Sequence, residues 1–291
     1  MKYKGSLEKF GLKKLAAVSA GLFGCLFVLR IYQLFCLTDP ATGFFTDHAN
    51  ITVPVFYVLA VASVLAVVIL AFLASGTGSG ETEDKRDIFH AVTSLLFAVP
   101  LFSEGMSGFR ALSSNMAAFG SFKAAVSETG GYINIVAPVF AVLSAVVLAV
   151  NFISFVSGKM IIRKLKILSL CPALWAFFVT INYFKITASY VKVTQLMLTI
   201  FADAFLMIFL LEYARFISGI GIKEAMWSFY GTGIVSAALL LTTELPNLAF
   251  KLFAPEKLIV DCGFRAYNLI AALFVITAMC YASRNAKKIT G

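Results

Sequence analysis

The chain has 291 residues, of which 60% are apolar (AVILMFWYC) and 13% charged, with a mean hydropathy of +0.91 and a formal net charge of +9. Soluble domains carry roughly 45–50% apolar and about 25% charged residues, so this balance excludes a soluble enzyme. At ~20 apolar residues per crossing, the apolar content suffices for eight membrane helices and leaves almost nothing for an extramembrane domain.

Apolar runs separated by charged or Gly/Pro-containing segments fall at Leu15–Leu37, Val53–Leu73, Ile88–Ser103, Ile133–Ser157, Ile167–Phe184, Val193–Ile217, Ala225–Thr243 and Phe264–Ala282. They predict an all-α, polytopic integral membrane protein with eight transmembrane helices. The third run is the shortest fit, because Glu104 and Arg110 follow it closely. With the N-terminus inside, sixteen Lys and Arg fall in inner segments and seven in outer ones, Arg30 lying within the first span. Short cytoplasmic loops retain the excess of Lys and Arg, so both termini are expected in the cytoplasm. The positive charge then reflects topology and attraction to anionic lipid, and nucleic acid is not needed as a partner. The basic start and short loops suggest a bacterial plasma membrane.

Several features read as structure. Leu22-Phe23-Gly24-Cys25 resembles a lipoprotein processing site, but the chain stays mostly apolar from Leu26 to Leu37, as a retained first helix requires. Cys25, Cys36, Cys171, Cys262 and Cys280 lack C-x-x-C spacing and serve as small packing residues. His48 and His90 are far apart, without ligand spacing, so neither a metal nor a cofactor is implied. Gly76 to Gly80 lacks the Gly-Lys-Ser/Thr ending of a phosphate loop and reads as a cytoplasmic linker. Asp39 to Gly43 reads as a turn, and Asn50-Ile51-Thr52 matches a glycosylation sequon.

The two halves, 1–158 and 159–291, share an order of features. Phe27 to Tyr32 aligns with Phe178 to Tyr183 at three of six positions, and the third and seventh spans carry Glu104 and Glu244 near their outer ends. After each glutamate an amphipathic stretch follows: Phe109, Leu112, Met116, Phe119 and Phe122 in the first half, Leu245, Leu248, Leu252 and Phe253 in the second. These observations predict a parallel 4+4 pseudo-repeat with two amphipathic helices lying in the outer interface.

Ionisable groups within spans are costly, and they mark function by default. Asp203, Thr199 and Gln195 recur at steps of four on the sixth span, Arg30 and Gln33 at a step of three on the first, and Asn182 and Lys185 at a step of three on the fifth. With Glu104, Glu244 and Asn268 they make the outer half polar. Glu212 and Arg215 are spaced for an i,i+3 ion pair near the inner end. Two arrangements compete: an outward-opening polar cavity floored by Asp203 and Arg30, and a buried Arg30–Asp203 pair that locks two helices together.

No paired membrane aspartates, Ser with His, or H-E-x-x-H motif is present for intramembrane proteolysis, which argues against an enzyme. The leading expectation is a small-solute carrier or substrate-binding membrane subunit. A non-transporting accessory, assembly or scaffold protein that binds other membrane subunits is the alternative, and an intramembrane enzyme the third choice.

Overall fold

A computed structural model describes residues 12–39, 45–46, 50–74, 85–185, 193–220, 222–253 and 265–285. The Gly76 to Gly80 linker, most of the Asp39 to Gly43 turn, His48 and Cys262 lie outside these residues.

The described chain is mostly helical, with one isolated antiparallel bridge between Thr38 and Phe45. Helix α1 is Leu12–Tyr32, prolonged by a π-helical turn, Gln33–Leu37; α2 is Thr52–Ala74, α3 Ile88–Phe119, α4 Phe122–Glu128 and α5 Ile133–Ser157. Two 3-10 turns, Ile161–Lys164 and Leu168–Leu170, lead into α6, Cys171–Lys185; α7 is Val193–Ser218, α8 Ile222–Phe253 and α9 Ala266–Asn285. Among the described residues, seven helical stretches are long and apolar enough to cross a membrane, and Leu168–Phe184 is a shorter apolar helix. The architecture is that of a multi-pass helical membrane protein.

Six helices close a ring. In order, α3 packs on α5, α5 on α6, α6 on α7, α7 on α8, α8 on α9 and α9 on α3 again. The ring draws on both halves of the sequence. Its interior is filled by large buried side chains, among them Phe97, Trp175, Phe209, Tyr213, Phe274 and Tyr281. Helices α1 and α2 pack on each other and on α8 from outside the ring. Although α3 and α8 each have 32 residues and one proline, they pack differently. Only α8 carries the α1–α2 pair, and α3 has no comparable packing on α6 or α7, the neighbours a repeat would give it.

Contacts between helix ends fix the directions. The Asp87 N–H donates to the Phe155 carbonyl at 3.2 Å, and Arg284 Nη1 donates to Asp87 Oδ2 at 3.3 Å, so α3 begins where α5 and α9 end. The Ser169 and Ser218 hydroxyls, 2.9 Å apart, join the approach to α6 to the end of α7. Ala71 near the end of α2 faces Gly231 near the start of α8. Lys85, Arg86, Lys159, Arg163 and Arg284 belong to these segments, and this is the basic end of the bundle.

The closest helix pair is α3 with α5. A Cβ on Gly105 would lie 2.5 Å from Val142 Cγ2 and 2.9 Å from the Pro138 carbonyl oxygen, and one on Gly108 would strike the Pro138 ring. Small residues at this spacing let two helix backbones approach in a medium where burial of apolar side chains drives little association.

The expectation of two separate interfacial helices is corrected here. Helix α3 continues without a break from Glu104 to Phe119 and stops at Gly120, whose φ of 64° and N–H bond to the Met116 carbonyl end it. Helix α8 likewise runs through Pro246 to Phe253. Between Glu104 and Phe119 no residue interrupts the backbone hydrogen bonds, and the Gly105–Gly108 contact holds the helix against α5. Thirty-two residues extend ~48 Å at 1.5 Å per residue, longer than the ~30 Å hydrocarbon core.

Candidate functional site

Opposite the basic end, five helices deliver polar side chains to one region. On α7, Asp203 precedes Ser218 by fifteen residues, ~22 Å at helical rise. Asp203 lies within electrostatic reach of Glu244 on α8, Glu104 on α3 and Tyr267 on α9. Glu244 and Asn268 are buried, each 1% exposed. The Glu244 carboxylate accepts from the Arg265 backbone N–H at 2.8 Å and from Asn268 Nδ2 at 2.7 Å. It thereby fixes the first turn of α9, where helix N–H groups otherwise lack partners.

A hydroxyl chain continues from there. Arg265 Nη1 donates to the Tyr267 hydroxyl at 3.1 Å, which lies 3.0 Å from the Tyr183 hydroxyl of α6. The guanidinium also stands 4.4 Å from the Tyr183 ring centroid, a cation–π distance. The Trp175 ring meets Tyr267 edge-on at 6.1 Å. Glu104 is half-buried beside Trp175, but the indole Nε1–H closes no hydrogen bond of acceptable geometry.

Three buried polar atoms of this region have no hydrogen-bond partner among the described residues: Asp203 Oδ2, Asn268 Oδ1 and Trp175 Nε1. Asp203 is 3% exposed. Two of these atoms accept and one donates. Since the Asn268 amide donates its nitrogen to a carboxylate, its oxygen is unambiguously the unpartnered acceptor.

Arg30 and Gln33 belong elsewhere. Arg30 Nη1 donates to Gln33 Oε1 at 3.4 Å, and Gln33 Nε2 donates to the Thr52 carbonyl at 3.0 Å, fastening the end of α1 to the start of α2. The expected Arg30–Asp203 junction is therefore not formed. The cause is topological, since α1 lies outside the ring against α2 and α8 whereas Asp203 faces the ring interior from α7. Thr199 is buried one turn from Asp203. Asn182 is half-buried beside Tyr183, its Oδ1 without a partner among the described residues. The side chains of Lys185 and Gln195 lie outside the description.

Toward the basic end Asn151 on α5 has both side-chain polar atoms buried without a hydrogen-bond partner among the described residues, while Glu212, Arg215 and His90 are engaged. Arg215 Nη1 reaches both Glu212 oxygens at 3.1 Å, as the spacing predicts. His90 is fully buried, with Nδ1 3.1 Å from Thr277 Oγ1 and Nε2 2.8 Å from the Tyr213 hydroxyl. Both ring nitrogens are used in joining α3, α7 and α9, which suits a structural node.

Sequence reasoning missed Arg265, Tyr267, Tyr183 and Trp175. The signal for the first two was present in Arg265-Ala266-Tyr267-Asn268, where a cation, a phenol and an amide open an apolar helix.

Comparison with protein-family models, with curated proteins and with solved structures found no significant match for the chain.

Proposed function

We propose that the protein is a small-solute carrier, or the solute-binding subunit of one, and not an enzyme. The observation that carries this reading is the gathering of Asp203, Glu104, Glu244, Asn268 and Tyr267 from four helices of a closed ring, with Asp203 Oδ2 and Asn268 Oδ1 buried and unpartnered among the described residues. Buried polar groups in membrane helices persist where they pair or where they serve a substrate or ion path. Two acceptors beside three carboxylates suit a solute presenting N–H groups or a positive charge.

The same reading has eight crossings, with both termini cytoplasmic and the polar cluster in the outer half. Helix α6 supports the count: its approach bonds to the end of α7 through Ser169, and its far end bonds to the start of α9 through Tyr183. The short loops and basic start fit a bacterial plasma membrane.

Purified protein in detergent, screened by thermal shift against amino acids, polyamines, nucleosides and monovalent ions, tests the proposal. A solute that raises the melting temperature of the wild type but not of Asp203→Asn is the expected outcome. If every stabilising solute acts equally on both, the cluster is no binding site, and a non-transporting accessory or assembly role takes its place.

A further inference from the structure

A second feature lies outside the ring and is independent of the solute reading. Between α1, α8 and α9 the surface opens into a groove of about 620 Å³, within the ~300–1,000 Å³ range of ligand pockets. Its walls are apolar: Ala16, Phe23 and Phe27 from α1, Ile234 and Ala238 from α8, Met279 from α9. Even Ser19 presents no polar demand, because its hydroxyl donates to the Leu15 carbonyl at 2.7 Å. Between its ends the only other polar side chains on its walls are those of Tyr230, Thr242 and Cys280.

The two ends differ. At the basic end the groove reaches Ser283 and Arg284. Arg284 makes one long bond to Asp87, at 3.3 Å, and its side chain is 58% exposed, which leaves most of its five N–H donors facing outward. From Ala16 to Phe27 the groove follows eleven residues of α1, ~16 Å at helical rise, about half of the ~30 Å hydrocarbon core. The groove therefore has the length of one leaflet, starts at Arg284 and is mostly apolar beyond it.

We infer that this groove is a binding site for one acyl chain of an anionic phospholipid, whose phosphate rests against Arg284. Charge complementarity selects the headgroup, since a basic residue at a membrane surface attracts anionic lipid. The small side chains of Gly24 and Ala238 make room for the chain. A Cβ placed on Gly24 meets nothing within 4 Å, so a larger residue there fills the groove without disturbing the helices.

Native mass spectrometry of the full chain in mild detergent tests this, with phosphatidylglycerol or phosphatidylcholine of identical acyl chains added. The wild type should retain one phosphatidylglycerol at concentrations where phosphatidylcholine is not retained. Gly24→Phe should cut that adduct at least tenfold. Gly21→Phe, on the same helix in open space but not lining the groove, should keep it. Arg284→Gln should keep lipid binding and lose the preference for the anionic headgroup. If Gly24→Phe elutes as aggregate, Ala238→Phe on the opposite wall carries the same expectation. The proposal fails if the wild type holds no lipid, if Gly24→Phe or its substitute binds as well as the wild type, or if headgroup preference is absent or survives in Arg284→Gln. A wild-type dimer that Gly24→Phe dissociates would also overturn it, by making the occupant a second copy of the chain.

Discussion

Asn268 donates to Glu244 at 2.7 Å through Nδ2, while its Oδ1 has no hydrogen-bond partner among the described residues. One amide thus does two things: it satisfies a buried carboxylate across the α8–α9 interface and keeps a second, buried acceptor unpartnered among the described residues. Replacing it with leucine would leave Glu244 Oε1 without this donor. Removing the partner of a buried charged acceptor costs about 1–3 kcal/mol or more. Asn268→Leu should lower the melting temperature in detergent by several degrees, whereas Asn268→Gln should recover part of the loss. An unchanged melting temperature for Asn268→Leu would show that the interaction contributes nothing.

Asp203 has carboxylates, not Arg30, as its charged neighbours. Asp203→Asn removes a buried ionisable group whose charged form Glu244 and Glu104 oppose. The variant should be at least as stable as the wild type. In a double-mutant cycle Arg30→Met and Asp203→Asn should add within about 0.5 kcal/mol, as separate sites do. A coupling energy of several times that size would restore the Arg30–Asp203 lock.

The helical membrane architecture was legible because apolar runs of about twenty residues have one physical reading in water-facing or lipid-facing chains. The convergence of Glu104, Glu244 and Asn268 was legible from depth alone, since each lies near the same end of its span. Depth does not give position around the bundle. Arg30 and Asp203 were placed at compatible depths, yet α1 sits outside the ring that contains α7, so the pair never meets. Periodicity misled in a related way. The amphipathic pattern from Phe109 to Phe122 is the same whether a helix lies in the interface or prolongs a span, and the deciding residues were Gly105 and Gly108, whose fit against Pro138 only a tertiary contact reveals.

That fit carries its own expectation. A branched side chain at Gly108 would have to occupy the space of the Pro138 ring, and α3 and α5 would be forced apart. Overpacking costs about 1–3 kcal/mol where neighbours can adjust, and a proline within a helix adjusts little. Gly108→Val should reduce the yield of monodisperse protein and lower its melting temperature, while Gly21→Val, which meets open space, should do neither. Equal behaviour of the two variants would remove the α3–α5 contact as a determinant of folding.

His90 links three helices through two hydrogen bonds and ring contacts with Phe155 at 4.5 Å and Phe274 at 5.1 Å. His90→Phe preserves the aromatic packing but strands the Tyr213 hydroxyl, and each buried polar group left unsatisfied costs about 1–3 kcal/mol. Its melting temperature should fall, and Tyr213→Phe in the same chain should bring part of it back, because the stranded hydroxyl is then gone. A double variant no more stable than His90→Phe would show that the Tyr213 bond is not what the histidine supplies.

The crossing of α6 decides the number of spans and the side on which the polar cluster opens. Ser169, on the approach to α6, bonds to Ser218 where α7 ends, and Tyr183 bonds to Tyr267 where α9 begins, so the two ends of α6 contact opposite ends of neighbouring helices. If α6 crosses, Lys166 and Lys185 lie on opposite faces of the membrane. In a chain freed of its five native cysteines, Lys185→Cys and Lys123→Cys should react with a membrane-impermeant maleimide on intact cells. Lys166→Cys and Lys85→Cys should react only after permeabilisation. Labelling of Lys166→Cys and Lys185→Cys from the same side would make α6 a re-entrant segment, reduce the spans to seven and move the end of the chain to the other face.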